Sequence, residues 1–412
     1  IFSGRTPYVW ISNQYSNNGT DLARYYLTSN VPFFVTDPFN QPTSPTAVYS
    51  GDINLITKDY RFPQVLKTNI AIDKKLPMGF IGTLEFVYSK GIKEIKYQNI
   101  NVGPNGQYNK VAGDGRPLFG TPSTSGSSRY GSPSYLNKEF REVLLLSNTD
   151  KGFEYSLALQ LQKEWLGGNM ITASYTYGMA KDMNSGTSSR AISNWMYNIC
   201  TWDPNDPQLT YSTHDTRHRI VFAFTKKFDF FQNAATWISL FYNGRSGRPY
   251  STIYYNDYNG DGQVNDSIWV PASADQIILT RGTWAELDKY ISSDPGLDKN
   301  RGKIVPRNAS RDPWYHGVDL KIAQNIPIPG LKGHRVQLQF TLQNVLNLFK
   351  KTWGVYRYIA FDDSPLTFVG YDSASGKPKF EFWGNTTTDD ARYTINQLLS
   401  RWKALFGIKY EF

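Results

Sequence analysis

The sequence is poor in the residues that most often carry chemistry. It has a single cysteine, Cys200, and four histidines in 412 residues. One cysteine excludes an intrachain disulfide framework and any multi-cysteine metal site. Charged residues make up 19% of the chain, below the roughly 25% usual for soluble proteins. The net charge of +9 is mild for this length and gathers in no run, which argues against nucleic-acid binding. No apolar stretch approaches the ~20 residues that a helix needs to cross a bilayer. The opening residues, IFSGRTPYVW, lack the basic stretch and apolar core of a leader peptide. No nucleophile elbow, phosphate loop or dinucleotide fingerprint occurs, and no Ser, His and acid residues group into a triad, so an enzyme is not expected.

Aromatic residues are abundant: 28 Tyr, 24 Phe and 11 Trp. That apolar surface argues against a mainly disordered chain. The length allows two or three ordinary domains or one large all-β unit. The dominant pattern is alternation with a period of two. Phe153, Tyr155, Leu157, Leu159, Leu161, Lys163 and Trp165 share one face, while Glu154, Ser156, Ala158, Gln160, Gln162 and Glu164 share the other. Only a β-strand presents such faces. After Gly167 and Gly168 the pattern resumes at Ile171, Ala173, Tyr175, Tyr177 and Met179, as in an antiparallel hairpin. It recurs around Leu84, Phe222, Leu320 and Leu338, and in the final run to Phe412. Further strands are expected near Arg61 to Leu76 and Ile1 to Trp10.

The connections alternate between short and long. Short ones lie at Leu76 to Gly79, Leu166 to Gly168, Asp229 to Asn233 and Pro327 to Gly333. Long polar ones run from Asn99 to Asn137, Lys181 to Thr213, Asn243 to Arg311 and Lys350 to Asn396. An up-and-down antiparallel sheet would then carry short turns at one end and long loops at the other. A soluble β-sandwich and a transmembrane β-barrel both fit alternating strands. Runs of ten or more residues exceed soluble strands, which average five or six, and match the roughly 9–11 of a tilted membrane strand. Gln, Thr, Ser and charges suit a watery lumen. Aromatics at the ends of the apolar faces suit a lipid-boundary girdle, and the asymmetry suits periplasmic turns with extracellular loops. The expected fold is an all-β antiparallel up-and-down transmembrane β-barrel in the bacterial outer membrane, of which about ten strands lie in this chain, too few for a barrel that holds a plug.

The terminal run RWKALFGIKYEF, with Trp402, Phe406, Tyr410 and Phe412, resembles the last strand of bacterial outer-membrane proteins. That resemblance implies recognition by the barrel assembly machinery. PQVLKTNIAIDKKLPMGFIGTLEFVYSKGIKEIKYQNINV, ASYTYGMAKDMNSGTSSRAISNW, HDTRHRIVFAF and YNDYNGDGQVNDSIWVP resemble TonB-dependent outer-membrane transporters of Bacteroidota, in particular the Oar-like group. The likeness implies that residues 1–412 are the carboxy-terminal portion of a plugged barrel of about 22 strands, with the plug, the TonB-contacting segment and the remaining strands elsewhere. It also implies active import of a peptide, glycan or metal chelate, with outer-membrane lipid and TonB as partners and a surface lipoprotein as a further candidate. The alternatives are a structural scaffold binding surface lipoproteins, a self-closed barrel in which the strand of Phe412 pairs with the first strand, and a soluble adhesin.

Two loop features invite chemistry. Asp257, Asn259, Asp261, Gln263 and Asn265 follow the every-second-residue spacing of calcium-loop oxygen donors, with Gly262 at the turn. Ile268 stands where a bidentate Glu is expected, and the same residues also suit a metal-free Asx turn. No other cofactor is expected. His214 and His218 have the spacing of a helical zinc pair, but they enter a strand. Trp195, Tyr197, Trp202, Tyr250, Tyr254, Trp269 and Trp284 are the loop aromatics expected to meet a substrate or partner.

Overall fold

The computed structural model describes residues 2–3, 36–37, 53–109, 114–138, 140–186, 188–231, 234–331, 333–387 and 391–412. In chain order the elements are β1 (Gln64–Lys75), β2 (Ile81–Asn99), β3 (Val143–Thr149), β4 (Phe153–Trp165), β5 (Asn169–Asp182), α1 (Ala191–Met196), β6 (His218–Phe231), β7 (Ala234–Arg245), β8 (Thr252–Tyr254), β9 (Ile278–Arg281), α2 (Trp284–Ser292), β10 (Tyr315–Pro327), β11 (Arg335–Gln343), β12 (Asp363–Tyr371), β13 (Pro378–Phe382) and β14 (Lys403–Glu411). Shorter pieces are named by their residues.

One antiparallel wall is ordered β1-β2-β4-β5-β6-β7-β10-β11-β14. β3 extends it by pairing with the end of β2, Thr149 opposite Glu94. Phe2–Ser3 pairs with the start of β1; the rest of the expected strand from Ile1 to Trp10 lies outside the described residues. Four hairpins close at one end of the wall, after β1, β4, β6 and β10, and the long loops all leave at the other. The hairpin chemistry is local. Gly167 and Gly168 both hold positive φ, at 89° and 82°, a region that strains any residue with a Cβ. A Cβ on Gly168 would also stand 2.5 Å from the Trp237 ring.

Register brings the alternating residues into rows across the strands. Ile72, Leu84, Leu159, Tyr175 and Ile220 form one row. Ile171, Phe224, Leu240, Leu320 and Leu342 form another. The intervening positions give Glu85, Ala158, Thr176, Arg219 and Arg245. Among the described residues no protein layer covers the apolar face: Ile72 is 60% exposed, Leu159 52% and Ile408 79%. Trp402, Phe406, Tyr410 and Phe412 are exposed as well. A soluble sandwich would bury these side chains against a second sheet. Both hydrophobic clusters of buried residues instead lie in the loops and the loop-proximal ends of β2 and β3.

The alternative of self-closure finds no pairing among the described residues: β14 pairs with β11, and nothing joins it to β1 or to Phe2–Ser3. Over the described residues the wall is an open sheet, not a closed barrel. Near the long-loop end its apolar face carries a ring stack. Tyr175 Oη lies 2.8 Å from His218 Nδ1, and Tyr242 Oη lies 2.8 Å from His316 Nδ1. The Trp314 ring stacks between the two imidazoles, 5.8 Å from each. Amphipathic rings at this level suit a membrane boundary. His218, at the start of β6, thus serves this stack.

Candidate functional site: the loop crown

The long loops fold together into a crown with a hydrophobic core. β12 pairs in parallel with β8 and antiparallel with β13, and β13 pairs in parallel with β9. One small sheet therefore joins the loop after β7 to the loop after β11. Tyr254, Tyr258, Trp269, Leu287, Leu366, Phe368, Phe380 and other buried residues pack around it. Phe380 stacks on Tyr254 at 5.5 Å with planes 6° apart. A capping box starts α2: Glu286 N donates to Thr283 Oγ1, while Glu286 accepts from Thr283 N.

This packing decides what the aromatic residues do. Trp195, Tyr250, Tyr254 and Trp269 are buried, so their rings hold loops together and are not offered to a ligand. Trp195 Nε1 donates to Asn205 Oδ1 at 3.1 Å, and the Tyr250 hydroxyl donates to Asp294 Oδ2 at 2.7 Å. Burial beside Asp294 pushes the Tyr250 phenol far up, so it stays a donor. Trp284 is partly buried against the core. Tyr197 and Trp202 remain exposed, joined by Trp353, Phe361 and Trp383. Those last three had no distinguishing sequence pattern. Trp383 carries the Arg281 guanidinium 3.5 Å over its ring. Beside it, Tyr290, Asp362, Asp363, Asn385 and Arg392 line a polar cavity of about 290 Å³. Burial, then the neighbouring Asp363, pushes the Asp362 carboxyl up to about 7.

The calcium-like segment sits at the centre of the crown. Asp257, Asn259, Asp261, Gln263, Asn265 and Asp266 are all buried. Asp257 Oδ1 accepts from Gly260 N at 2.6 Å, and its Oδ2 accepts from Gly262 N at 2.7 Å and Gly131 N at 3.1 Å. Asn259 Oδ1 accepts from Asp261 N, and Asp261 Oδ1 from Gln263 N, each at 2.8 Å. Ile268 is a core residue and supplies no oxygen. Burial and then Asp266 push the Asp257 carboxyl up to about 7. Burial, then Asp257, raises Asp261 well above the usual range. Burial raises Asp266 to about 6, against the pull of Arg116. Among the described residues no three His, Cys, Asp or Glu side chains are placed together to hold a metal; the donor set here is mixed, carboxylate with amide.

At the rim, Asp215 and Asp312 tie the crown to the wall. Asp215 accepts from Ala180 N at 2.6 Å and pairs with Arg217 and Arg311. Asp312 accepts from Ile359 N at 2.9 Å. Burial pushes its carboxyl up to about 6, with the Ile359 N–H and Arg248 pulling only partly back. An unfolded Asp titrates near 3.9. Between about pH 4 and pH 6 the folded chain keeps a proton that the unfolded chain has lost, so this group's contribution falls as pH rises through that window. Asp312→Asn should therefore flatten the loss of crown stability between pH 4 and 7 by on the order of 2 kcal/mol. Thermal melts of both proteins across that range check it; parallel slopes reject it.

Long strands with one bare apolar face, a polar opposite face, aromatic rings at the boundary and loops gathered at one end define an integral outer-membrane β-barrel protein. The chain belongs to the outer membrane beta barrel domain family, whose model matches residues 2–350. No curated protein matches the chain.

Proposed function

We propose that this protein works in TonB-dependent import across the outer membrane, contributing barrel wall and substrate-facing crown to a plugged barrel. The observation that carries the reading is the open wall. Lipid supplies no hydrogen bonds to an exposed sheet edge, and each unpaired backbone group there costs several kcal/mol. The outer side of β1 beyond its short pairing with Phe2–Ser3, and the outer side of β14, therefore require partner strands beyond those described. Added strands widen the barrel beyond what side chains can fill, to a lumen that takes a plug. The inner face bears Glu85, Thr176, Arg219 and Arg245, which suits contact with water and a polar plug. The exposed crown rings at Tyr197, Trp202, Trp353 and Trp383 offer stacking surfaces for a peptide or glycan. None of this calls for covalent chemistry by the chain.

The test is uptake in a strain that needs this locus to grow on a peptide or glycan source. Removing TonB, or collapsing the inner-membrane proton gradient, should abolish that growth. Growth that survives both treatments would reject import and leave the scaffold reading, in which the same rings grip a surface lipoprotein.

A further inference from the structure

The segment from Asn256 to Ser267 is where the crown loops meet. From the loop after β2, Phe119 N donates to Asn259 O at 2.8 Å and Ser123 N to Asp257 O at 2.9 Å. From the loop after β5, Cys200 N donates to Asn265 O at 2.9 Å, and Ser267 N returns a bond to Cys200 O at 2.8 Å. From the loop after β11, Phe368 N donates to Asn256 Oδ1 at 3.0 Å, while Asn256 Nδ2 donates to Phe368 O at 2.9 Å. The segment itself belongs to the loop after β7.

This hub is buried and over-supplied with acid. Asp114, Asp257, Asp261 and Asp266 are each at most 4% exposed, and the fully buried cation beside them is Arg116. Arg116 is committed: it lies 2.8 Å from Asp114 and 3.6 Å from Asp266, with Nη2 on Ser267 O at 2.8 Å. Among the described residues, Asp257 and Asp261 accept only from backbone N–H groups and one amide. Buried carboxylates without a counter-charge are costly. A second observation, independent of the acids, concerns Asn265. Its Nδ2 donates to Met196 O at 2.9 Å. Among the described residues, its Oδ1, fully buried, finds no hydrogen-bond donor. That oxygen belongs to the ninth position of the loop, where a calcium loop places a donor directly or through water.

We infer that this hub binds one calcium ion, held by Asp257, Asn259, Asp261, the main-chain oxygen of Gln263 and Asn265, and that the ion fastens the four long loops into one crown. Hard oxygen donors of both carboxylate and amide type suit Ca²⁺, whose flexible coordination tolerates the missing twelfth-position Glu. Mg²⁺ demands stricter octahedral geometry and sheds water reluctantly. The ion offsets two of the buried negative charges and gives the Asn265 oxygen a partner. With few charged ligands, the affinity belongs to the weak range of extracellular calcium modules, about 10⁻⁴–10⁻³ M. That range needs only the calcium present outside the cell.

The test uses the full protein purified in detergent, with CaCl₂, MgCl₂ and EDTA as probes. Metal analysis after equilibration in millimolar calcium should find one calcium per chain. Thermal melting followed by tryptophan emission should shift upward by about 1–4 °C in millimolar calcium relative to EDTA. Asp261→Asn and Asn265→Ala should lower the retained calcium and shrink the shift. A wild-type protein that retains no calcium and melts alike in calcium and EDTA overturns the inference, without reliance on any variant. An equal response to magnesium, or full calcium retention by Asp261→Asn, overturns the assignment equally.

Discussion

Leu159→Arg is expected to cost about 2–4 kcal/mol of folding free energy in a bilayer, the penalty for a cation at the lipid midplane of a barrel wall. Leu159 lies midway along β4, and its row runs from Ile72 through Leu84 to Tyr175 and Ile220. Its side chain is half exposed, with no cover from the described residues, so hydrocarbon is the medium the guanidinium would enter. The neighbouring change, Gln160→Arg, should be close to neutral. Gln160 points to the other face, in a row with Thr83 and Ser174, and bonds to Gln162 at 3.0 Å. Reversible folding into liposomes across a urea series measures both. Equal costs would mean that the two faces meet similar surroundings. A larger penalty at Gln160 would mean that the lipid and lumen faces are reversed.

Phe380→Ala is expected to cost about 3–5 kcal/mol, localised to the crown. Phe380 comes from the loop after β11, yet its ring stacks on Tyr254, lies 6.3 Å from Tyr258 and touches Phe368 at 5.7 Å. Tyr254 and Tyr258 come from the loop after β7. Emptying that volume weakens the core the two loops share, leaving Phe368 against Tyr258 at 4.9 Å and Phe382 against Tyr290 at 5.4 Å. Limited proteolysis of intact outer membranes should then cut both loops faster, and together, while the wall strands stay protected. Faster cutting of one loop alone would show that the loops order independently and that the shared core is not what joins them.

These two substitutions sit on opposite sides of a divide between what was legible in the sequence and what was not. The wall was legible because its environment repeats along the chain. Each strand residue faces either hydrocarbon or water, so Leu157, Leu159 and Leu161 must alternate with Ala158 and Gln160 whatever lies farther away. The turns were legible for a similar reason: Gly167 and Gly168 take backbone angles that other residues resist, and that requirement is local. The crown has no such period. Its sheet forms by pairing segments such as Thr252–Tyr254 and Asp363–Tyr371, separated by more than a hundred positions in the chain. A buried tyrosine such as Tyr254 and an exposed one such as Tyr197 look alike in sequence. Trp195, Tyr250, Tyr254 and Trp269 therefore read as a binding surface and turn out to be the packing that holds the loops.

The calcium-like loop is divided the same way. Spacing alone placed oxygen donors at Asp257, Asn259, Asp261, Gln263 and Asn265, because chain geometry brings alternate positions of a tight turn together. That this turn lies sealed beneath neighbouring loops, with Asn256 bonded to both Ser123 and Phe368, depends on contacts no local pattern records.

The chain by itself determined a membrane-spanning antiparallel wall with turns at one end and loops at the other, since alternation between two solvents is written residue by residue. Only the tertiary structure decided which loop aromatics are core and which are surface, where the acidic turn is buried, and that the described wall stays open at its edges. Those outcomes depend on which distant segments meet, and burial belongs to the meeting rather than to either partner.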